Sequence, residues 1–283
     1  YSGAGNAISL TTATRTGYIF LGWYDAPTGG NKIGNAGASY TPKANITLYA
    51  HWQLGIAQIG STLYPSLASA IDAVPSTNVQ TGITMINNTT ESVVIPSGKN
   101  VKLNVNGKTI TGTSTSTVTI NNKGTLYLYG GTVTKGSNVI ENNGTMTFVN
   151  GTISNGSNFA MANNSTFTMT GGTISNTGGS HAFCNVKTAT ITGGNITLSN
   201  DSTSTAVYNI SSLKMTGGNV SSSAHGIYTR GNGAKATISN VTVSGRIAIG
   251  VDTYGKITAT SVRVTSGNIE CNMDDLVNMN GLT

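Results

Sequence analysis

The central part of the chain, residues 118–264, alternates apolar and polar residues in short runs that recur about every 22 positions. In the best-preserved copy, TFTMTGGTIS at 166–175, Phe167 and Met169 alternate with threonines. Such alternation is typical of strands with one buried face. One apolar β-branched residue marks each copy, at intervals of 20, 21, 22, 24 and 23. The markers are Val133, Ile153, Ile174, Ile196, Val220 and Val243. The chain therefore repeats one structural unit.

An asparagine stands eleven residues before every marker. Asn tolerates the left-handed backbone of a tight corner, and its amide can hydrogen-bond to the same group one coil away. In the last copy Asn232 either joins the column or, with three residues inserted after Thr229, tips an Arg-Gly-Asn-Gly loop. The second alignment leaves five firm members of a structural ladder. They are Asn122, Asn142, Asn163, Asn185 and Asn209.

A period near 22, glycine pairs at corners and no helix-period segment in the repeat predict an all-β solenoid, a right-handed parallel β-helix whose coils stack strand on strand. Over roughly residues 83–270 the pattern resembles the parallel β-helix superfamily of pectate lyases and many bacterial surface proteins. A leucine-rich repeat would require Leu-x-x-Leu-x-Leu spacing, which is absent. Ile110 and Val264 extend the markers and predict a stack on the order of 34 Å.

Two aromatic strand-like runs precede the repeat, separated by a glycine-rich loop. GYIFLGWY at 17–24 and TLYAHW at 47–52 resemble the Listeria–Bacteroides repeat of internalin-type and other bacterial surface proteins. The resemblance implies a small β-grasp-like domain at 1–54, N-terminally incomplete because the usual opening strand is missing. We expect its aromatic residues to form a core and His51 to be structural. The expected core is Tyr18, Phe20, Trp23, Tyr49 and Trp52.

Residues 55–283 are assigned to the β-helix, with a helical cap near 65–74. We expect the helix to begin near Ser61 or Thr62, to end at Pro75 and to cover the open apolar end of the first coil. Beyond Val264 the pattern dissolves, and a last strand, a helix or a cut through a longer solenoid remain open. The apolar stripe of the cap is Leu67, Ala70, Ile71 and Val74.

Charge and cysteine content reduce the number of functional classes that fit this sequence. Only 8% of the residues are charged, and the net charge of +6 comes from scattered basic residues, which argues against nucleic-acid binding. We expect no metal, no cofactor and, since no apolar stretch approaches about 18 residues, no membrane span. Cys184 and Cys271 should be free thiols, because four coils would separate them by roughly 19 Å. We expect an extracellular, secreted or wall-attached monomer.

One outward column carries candidate binding residues. The residue before each ladder asparagine should point outward, which places Cys184, Tyr208 and, with the insertion, Tyr228 in one column. We expect the two tyrosine rings to lie side by side as a flat platform for a neutral glycan, with solvated decoration as the alternative. The candidate ligand-binding residues are Tyr208, Tyr228, His225, Arg230, Arg246 and His181.

Three functional classes stay open. The first is a non-catalytic, adhesin-like surface protein that binds polysaccharide or host surface glycan. The second is a carbohydrate-active enzyme, a polysaccharide lyase or glycoside hydrolase, and the third is a passive spacer. Glycoside hydrolysis needs two carboxyl groups about 5 to 10 Å apart. Only Asp274 and Asp275 are adjacent among the nine acidic residues, so the sequence provides no catalytic candidates on the repeat.

Overall fold

The computed structural model describes residues 5–199, 204–252 and 254–270, and the backbone of 276–280. The protein begins with a small antiparallel unit. Its strands are β1 (Ile8–Ser9), β2 (Tyr18–Tyr24), β3 (Lys32–Gly34), β4 (Ser39–Tyr40) and β5 (Tyr49–Leu54). β2 lies between β3 and β5 in one sheet, and β1 pairs with β4 in a second.

The aromatic residues of this unit form a half-exposed cluster and not the closed core that the sequence predicts. The Phe20 ring lies 5.6 Å from Trp23 and 5.3 Å from Trp52, whereas Tyr49 is 37% exposed and lies outside the cluster. So short a unit has too little apolar surface to enclose its rings. His51 has a packing role, since its ring stacks on Tyr24 at 3.8 Å and its Nε2–H donates to the carbonyl of Ala26.

A hairpin and one helix lead into the solenoid. The hairpin strands are β6 (Ala57–Ile59) and β7 (Thr62–Tyr64), and helix α1 spans Leu67–Ala73. The predicted start at Ser61 or Thr62 is wrong, because Thr62 pairs with Ile59 in the hairpin. Ser66 caps the helix instead. Its Oγ accepts the Ser69 N–H at 2.9 Å, and Ser69 Oγ accepts the Ser66 N–H at 3.3 Å, which forms a reciprocal capping box.

The helix covers the first coils with its predicted apolar stripe, which is fully buried. Two charged side chains from those coils hold its ends. The Glu91 carboxylate accepts the backbone N–H groups of Leu67 and Ala68, and the buried Lys99 ammonium donates to the carbonyls of Ile71 and Asp72, both at 2.8 Å. Each charge complements the helix dipole at its end and pairs backbone groups that lack intrahelical partners.

The rest of the protein is a parallel β-solenoid of about eight coils. In sequence order its strands are β8 (Gln80–Met85), β9 (Thr89–Thr90), β10 (Val93–Ile95), β11 (Asn100–Asn104), β12 (Thr109–Thr111), β13 (Ile120–Asn122), β14 (Thr125–Tyr129), β15 (Thr132–Asn142), β16 (Thr145–Phe148), β17 (Thr152–Asn163), β18 (Thr166–Met169), β19 (Thr173–Asn176), β20 (His181–Asn185), β21 (Thr188–Ile191), β22 (Asn195–Leu198), β23 (Thr205–Asn209), β24 (Ser212–Met215), β25 (Asn219–Ser222), β26 (His225–Thr229), β27 (Lys235–Ser239), β28 (Thr242–Val251), β29 (Lys256–Thr260), β30 (Arg263–Glu270) and β31 (Leu276–Asn280).

These strands form two long sheets in which each strand pairs with its equivalent one coil away. A 12-stranded sheet runs from the hairpin and β8 through β14, β16 and β18 to β31, and a 14-stranded sheet contains the rest. In the second sheet, the long β15 and β17 each span two runs that other coils divide into separate strands, such as β19 and β20. A coil therefore presents three outward faces, one from the first sheet and two from the second.

The predicted apolar column is confirmed. Val133 pairs with Ile153, and the register continues through Ile174, Ile196 and Val220 to Val243. All six markers are buried, and Ile110 and Val264 extend the column at its two ends.

The sequence left three alternatives for the segment after Val264, and the structure has a strand there, at Leu276–Asn280, paired with β29. Across the described ranges, no helix has the length and apolar character to cross a membrane.

Candidate functional site

The five ladder asparagines occupy one corner of successive coils, and every side chain is fully buried. The Nδ2 of each of the first four donates to the Oδ1 of the next member at 2.7 to 2.8 Å. The ladder begins at Asn122 because the preceding coil has Ile95 at this position, which leaves Asn122 Oδ1 without a partner in the described structure. At the other end Asn209 meets Thr229, so Asn232 is outside the column and tips an exposed loop.

The backbone explanation for these asparagines is wrong, although their hydrogen bonding fits the prediction. None of the five has a positive φ. They end extended strands, and the left-handed positions lie at another corner, at Lys135 and Asn155 among others. The amide ladder is therefore the physical reason for asparagine in this column, since it satisfies polar groups inside an apolar core.

A stack of four rings runs along one outward face, and we call it the aromatic stripe. Phe159 stacks on His181 with ring centroids 5.5 Å apart, His181 on Tyr208 at 4.6 Å, and Tyr208 on Tyr228 at 6.3 Å. The planes of neighbouring rings differ by no more than 12°. Beyond Tyr228 the next coil has Gly250, where a Cβ would lie 2.5 Å from the tyrosine ring, so the glycine leaves room for it.

This geometry corrects the expected flat platform. Tyr208 and Tyr228 hold equivalent positions on successive coils and are displaced along the solenoid axis, so their parallel rings stack on one another. The sequence analysis did not predict Phe159 as a residue of this site, although its position relative to the ladder could have indicated it. It stands four residues before its ladder asparagine, as His181 does before Asn185. Strand pairing places both in one column, with Thr205 and His225 following.

His181 is held neutral. Burial lowers the pKa of its imidazole from 6.5 to about 4, and the nearby His225 acts in the same direction. The backbone N–H of Thr205 donates to its Nδ1 at 3.1 Å, which requires a lone pair there and leaves the ring proton on Nε2. His225 has the opposite arrangement, because its Nδ1–H donates to the carbonyl of Ser204 at 3.2 Å.

A groove of about 360 Å³ runs beside the stripe. Arg230 borders it, 63% exposed, with its Nε 3.5 Å from Asp252. That aspartate also accepts three backbone N–H groups at 3.1 to 3.2 Å, so its carboxylate is occupied in shaping the adjoining turns. Arg246 is exposed and does not line the groove. The lining is His181, Thr205, Tyr208, His225, Tyr228 and Arg230.

Cys184 lies in the outward column but is not accessible, since only 6% of it is exposed. It pairs in register with Tyr208, whose larger side chain stands beside the short thiol. Burial raises the pKa of the Cys184 thiol to about 11. Cys184 is a free thiol, and Cys271 lies outside the described residues.

The sequence analysis also did not predict a second pair of outward aromatic residues. Tyr127 and Tyr129 lie on the 12-stranded sheet with ring centroids 5.9 Å apart, and the Lys102 ammonium is within 5.7 Å of both rings. Within the ranges that the structure describes, no cluster of three or more His, Cys, Asp or Glu residues could hold a metal ion.

Together these features define a parallel β-solenoid with a stacked aromatic stripe and a polar groove on one face. The model of one family, the Listeria-Bacteroides repeat domain, matches residues 2–51. The match includes β1 to β4 and the first part of β5, and the pectate-lyase-like assignment of the solenoid stays a prediction. No solved structure matches this protein.

Proposed function

We propose that this protein is part of a bacterial surface protein whose solenoid binds a glycan at the aromatic stripe, without catalysis. The observation that carries the proposal is the stripe itself. Four stacked rings cross successive coils beside a groove, on a solenoid whose outward positions are otherwise mostly Thr, Ser and Asn. Aromatic groups gathered with a few convergent polar groups are the usual composition of a ligand site.

The groove offers complementary chemistry to a sugar. Ring edges and aliphatic carbons can pack against the C–H surface of a pyranose, while its hydroxyls meet the Nε2–H of His181, the free nitrogen of His225 and the two phenol groups. The stacking contacts between neighbouring rings are already formed without a ligand. A preorganised site loses less side-chain entropy on binding.

The N-terminal unit supports the location. Listeria–Bacteroides repeats are typical of bacterial surface proteins, and the match to residues 2–51 is the observation behind an extracellular, secreted or wall-attached place for this protein. In this proposal the N-terminal unit is a spacer, and the solenoid presents its ligand-binding face away from the cell.

A glycan array comparing two double variants tests the proposal. Tyr208→Ala with Tyr228→Ala should reduce affinity for an array-identified glycan at least tenfold, about 1.4 kcal/mol. The matched control is Tyr127→Ala with Tyr129→Ala, which removes two outward tyrosines from the other sheet. Thermal unfolding of both variants checks that the fold persists. Unchanged binding in the Tyr208/Tyr228 variant would show that any ligand docks elsewhere.

A carbohydrate-active enzyme is the second candidate, and one observation favours it. Two imidazoles and two phenols line a single groove, and these groups can transfer protons in catalysis. Reducing-sugar release should therefore be measured on every array-positive glycan. Sugar release that disappears in His225→Gln would favour the enzyme. Binding without release would favour the adhesin-like protein. If the protein shows neither binding nor release, the passive spacer is the remaining class.

A further inference from the structure

Five Asn-Gly dipeptides lie in the part of the protein that the structure describes, and four of them have a restrained asparagine side chain. Asn106 donates to the carbonyl of Met85, and Asn143 donates to Asn121 and Glu141. Asn150 accepts the Gly130 N–H at 2.7 Å, and Asn155 accepts the Thr177 hydroxyl at 3.2 Å. Moving any of these amide groups costs a hydrogen bond.

Asn232-Gly233 is different. Asn232 is exposed at the tip of the Arg-Gly-Asn-Gly loop, and within the described ranges neither its side chain nor the Gly233 N–H has a hydrogen-bond partner. The flanking Gly231 and Gly233 have φ values of 105° and 79°, and a Cβ built on either would meet nothing within 4 Å. Glycine on the C-terminal side also lets the backbone nitrogen approach without steric hindrance.

We propose that Asn232 is a site of self-modification by deamidation. The Gly233 backbone nitrogen loses its proton to solvent and attacks Cγ of Asn232, forming a new bond between these two atoms. The bond from Cγ to Nδ2 then breaks, and Nδ2 takes up a proton and leaves as ammonia. Water opens the resulting five-membered succinimide at either carbonyl. The product is aspartate or isoaspartate, with no oxidant or cofactor involved.

The product changes the rim of the groove. Asn232 stands two residues after Arg230, whose Nε faces Asp252 at 3.5 Å. Deamidation adds a carboxylate on the same loop, two residues from Arg230, and in the isoaspartate form it lengthens the backbone of the loop. The charge at the end of the groove therefore becomes more negative as the protein ages.

Peptide mapping by mass spectrometry tests the proposal. Folded protein is held at mildly alkaline pH, sampled over time and digested, and the five Asn-Gly peptides are quantified. The Asn232 peptide should convert at least tenfold faster than any of the other four. In denaturant the five rates should converge, because the hydrogen bonds that restrain the other asparagines are then broken.

Two variants complete the test. Asn232→Gln should lower the amount of acidic species that accumulates in native charge separation, whereas Asn143→Gln should leave that amount unchanged. The proposal fails if Asn232 converts no faster than Asn143 in the folded protein. It also fails if the ranking of the five rates is unchanged in denaturant, since the fold would then have no part in it.

Discussion

Asn163 donates its side-chain amide to Oδ1 of Asn185 at 2.8 Å, one coil away, with both side chains fully buried. The same Nδ2 lies 3.0 Å from the carbonyl of Thr188 and 3.1 Å from that of Ser165. One amide thus joins two coils and satisfies backbone acceptors at the corner. A slip of one residue between coils would leave all of these groups unpaired in the core, so the ladder holds the register.

Asn163→Ala should therefore lower the free energy of unfolding by about 1 to 3 kcal/mol, because it leaves buried partners unsatisfied. Urea unfolding measures the loss. The control is Asn121→Ala, whose side chain is only half-buried and accepts one hydrogen bond from Asn143, and it should be nearly neutral. Equal losses in the two variants would mean that the ladder does not stabilise the fold.

A second prediction concerns the helical cap. Lys99→Met should lower the free energy of unfolding by about 1 to 3 kcal/mol, since it leaves the carbonyls of Ile71 and Asp72 without their donor at the helix end. Methionine keeps much of the aliphatic volume. Lys214→Met, at an exposed position of β24, is the control, with an expected change below about 0.5 kcal/mol. An equally large loss of stability in the control would show that the effect of Lys99→Met does not come from helix capping.

The apolar column could be predicted because coil length is nearly constant and strand side chains alternate, so Val133 and Ile153 follow from spacing alone. The orientation of the aromatic rings could not be predicted. Whether Tyr208 and Tyr228 lie in one plane or stack depends on their rotamers and on the neighbouring rings, and His181 joins them from a position four residues before a ladder asparagine. The helix start was misplaced because Ser61 and Ser66 are both suitable caps, and only the hairpin pairing distinguishes them.

His181 should make stability depend on pH. Its folded pKa is lowered from 6.5 to about 4, so on acidification the unfolded state takes up a proton first. The contribution of neutral His181 is complete above about pH 6.5 and is lost as the pH falls toward 4. Because the ring is partly solvated, we expect a loss of about 1 kcal/mol.

Thermal unfolding of wild type and His181→Gln across this window measures the effect. The advantage of wild type over the variant should shrink as the pH falls. His51→Gln, in the N-terminal unit, is the control and should retain the wild-type pH dependence of the solenoid transition. A parallel pH dependence of wild type and His181→Gln would show that His181 does not titrate as described.

The last prediction links the aromatic stripe to Cys184. Its thiol pKa is raised to about 11 and only 6% of the residue is exposed, so near pH 8 only about one molecule in a thousand carries the reactive thiolate. In a Cys271→Ser variant, Cys184 should react with a thiol reagent at least a hundredfold more slowly in the folded protein than in denaturant. Adding Tyr208→Ala should increase the folded-state rate, because it removes the large neighbour that stands beside the thiol, whereas Tyr127→Ala on the other sheet should not. If the Tyr208 variant reacts as slowly as its parent, the strands themselves protect the Cys184 thiol from the reagent, and the aromatic stripe does not cover it.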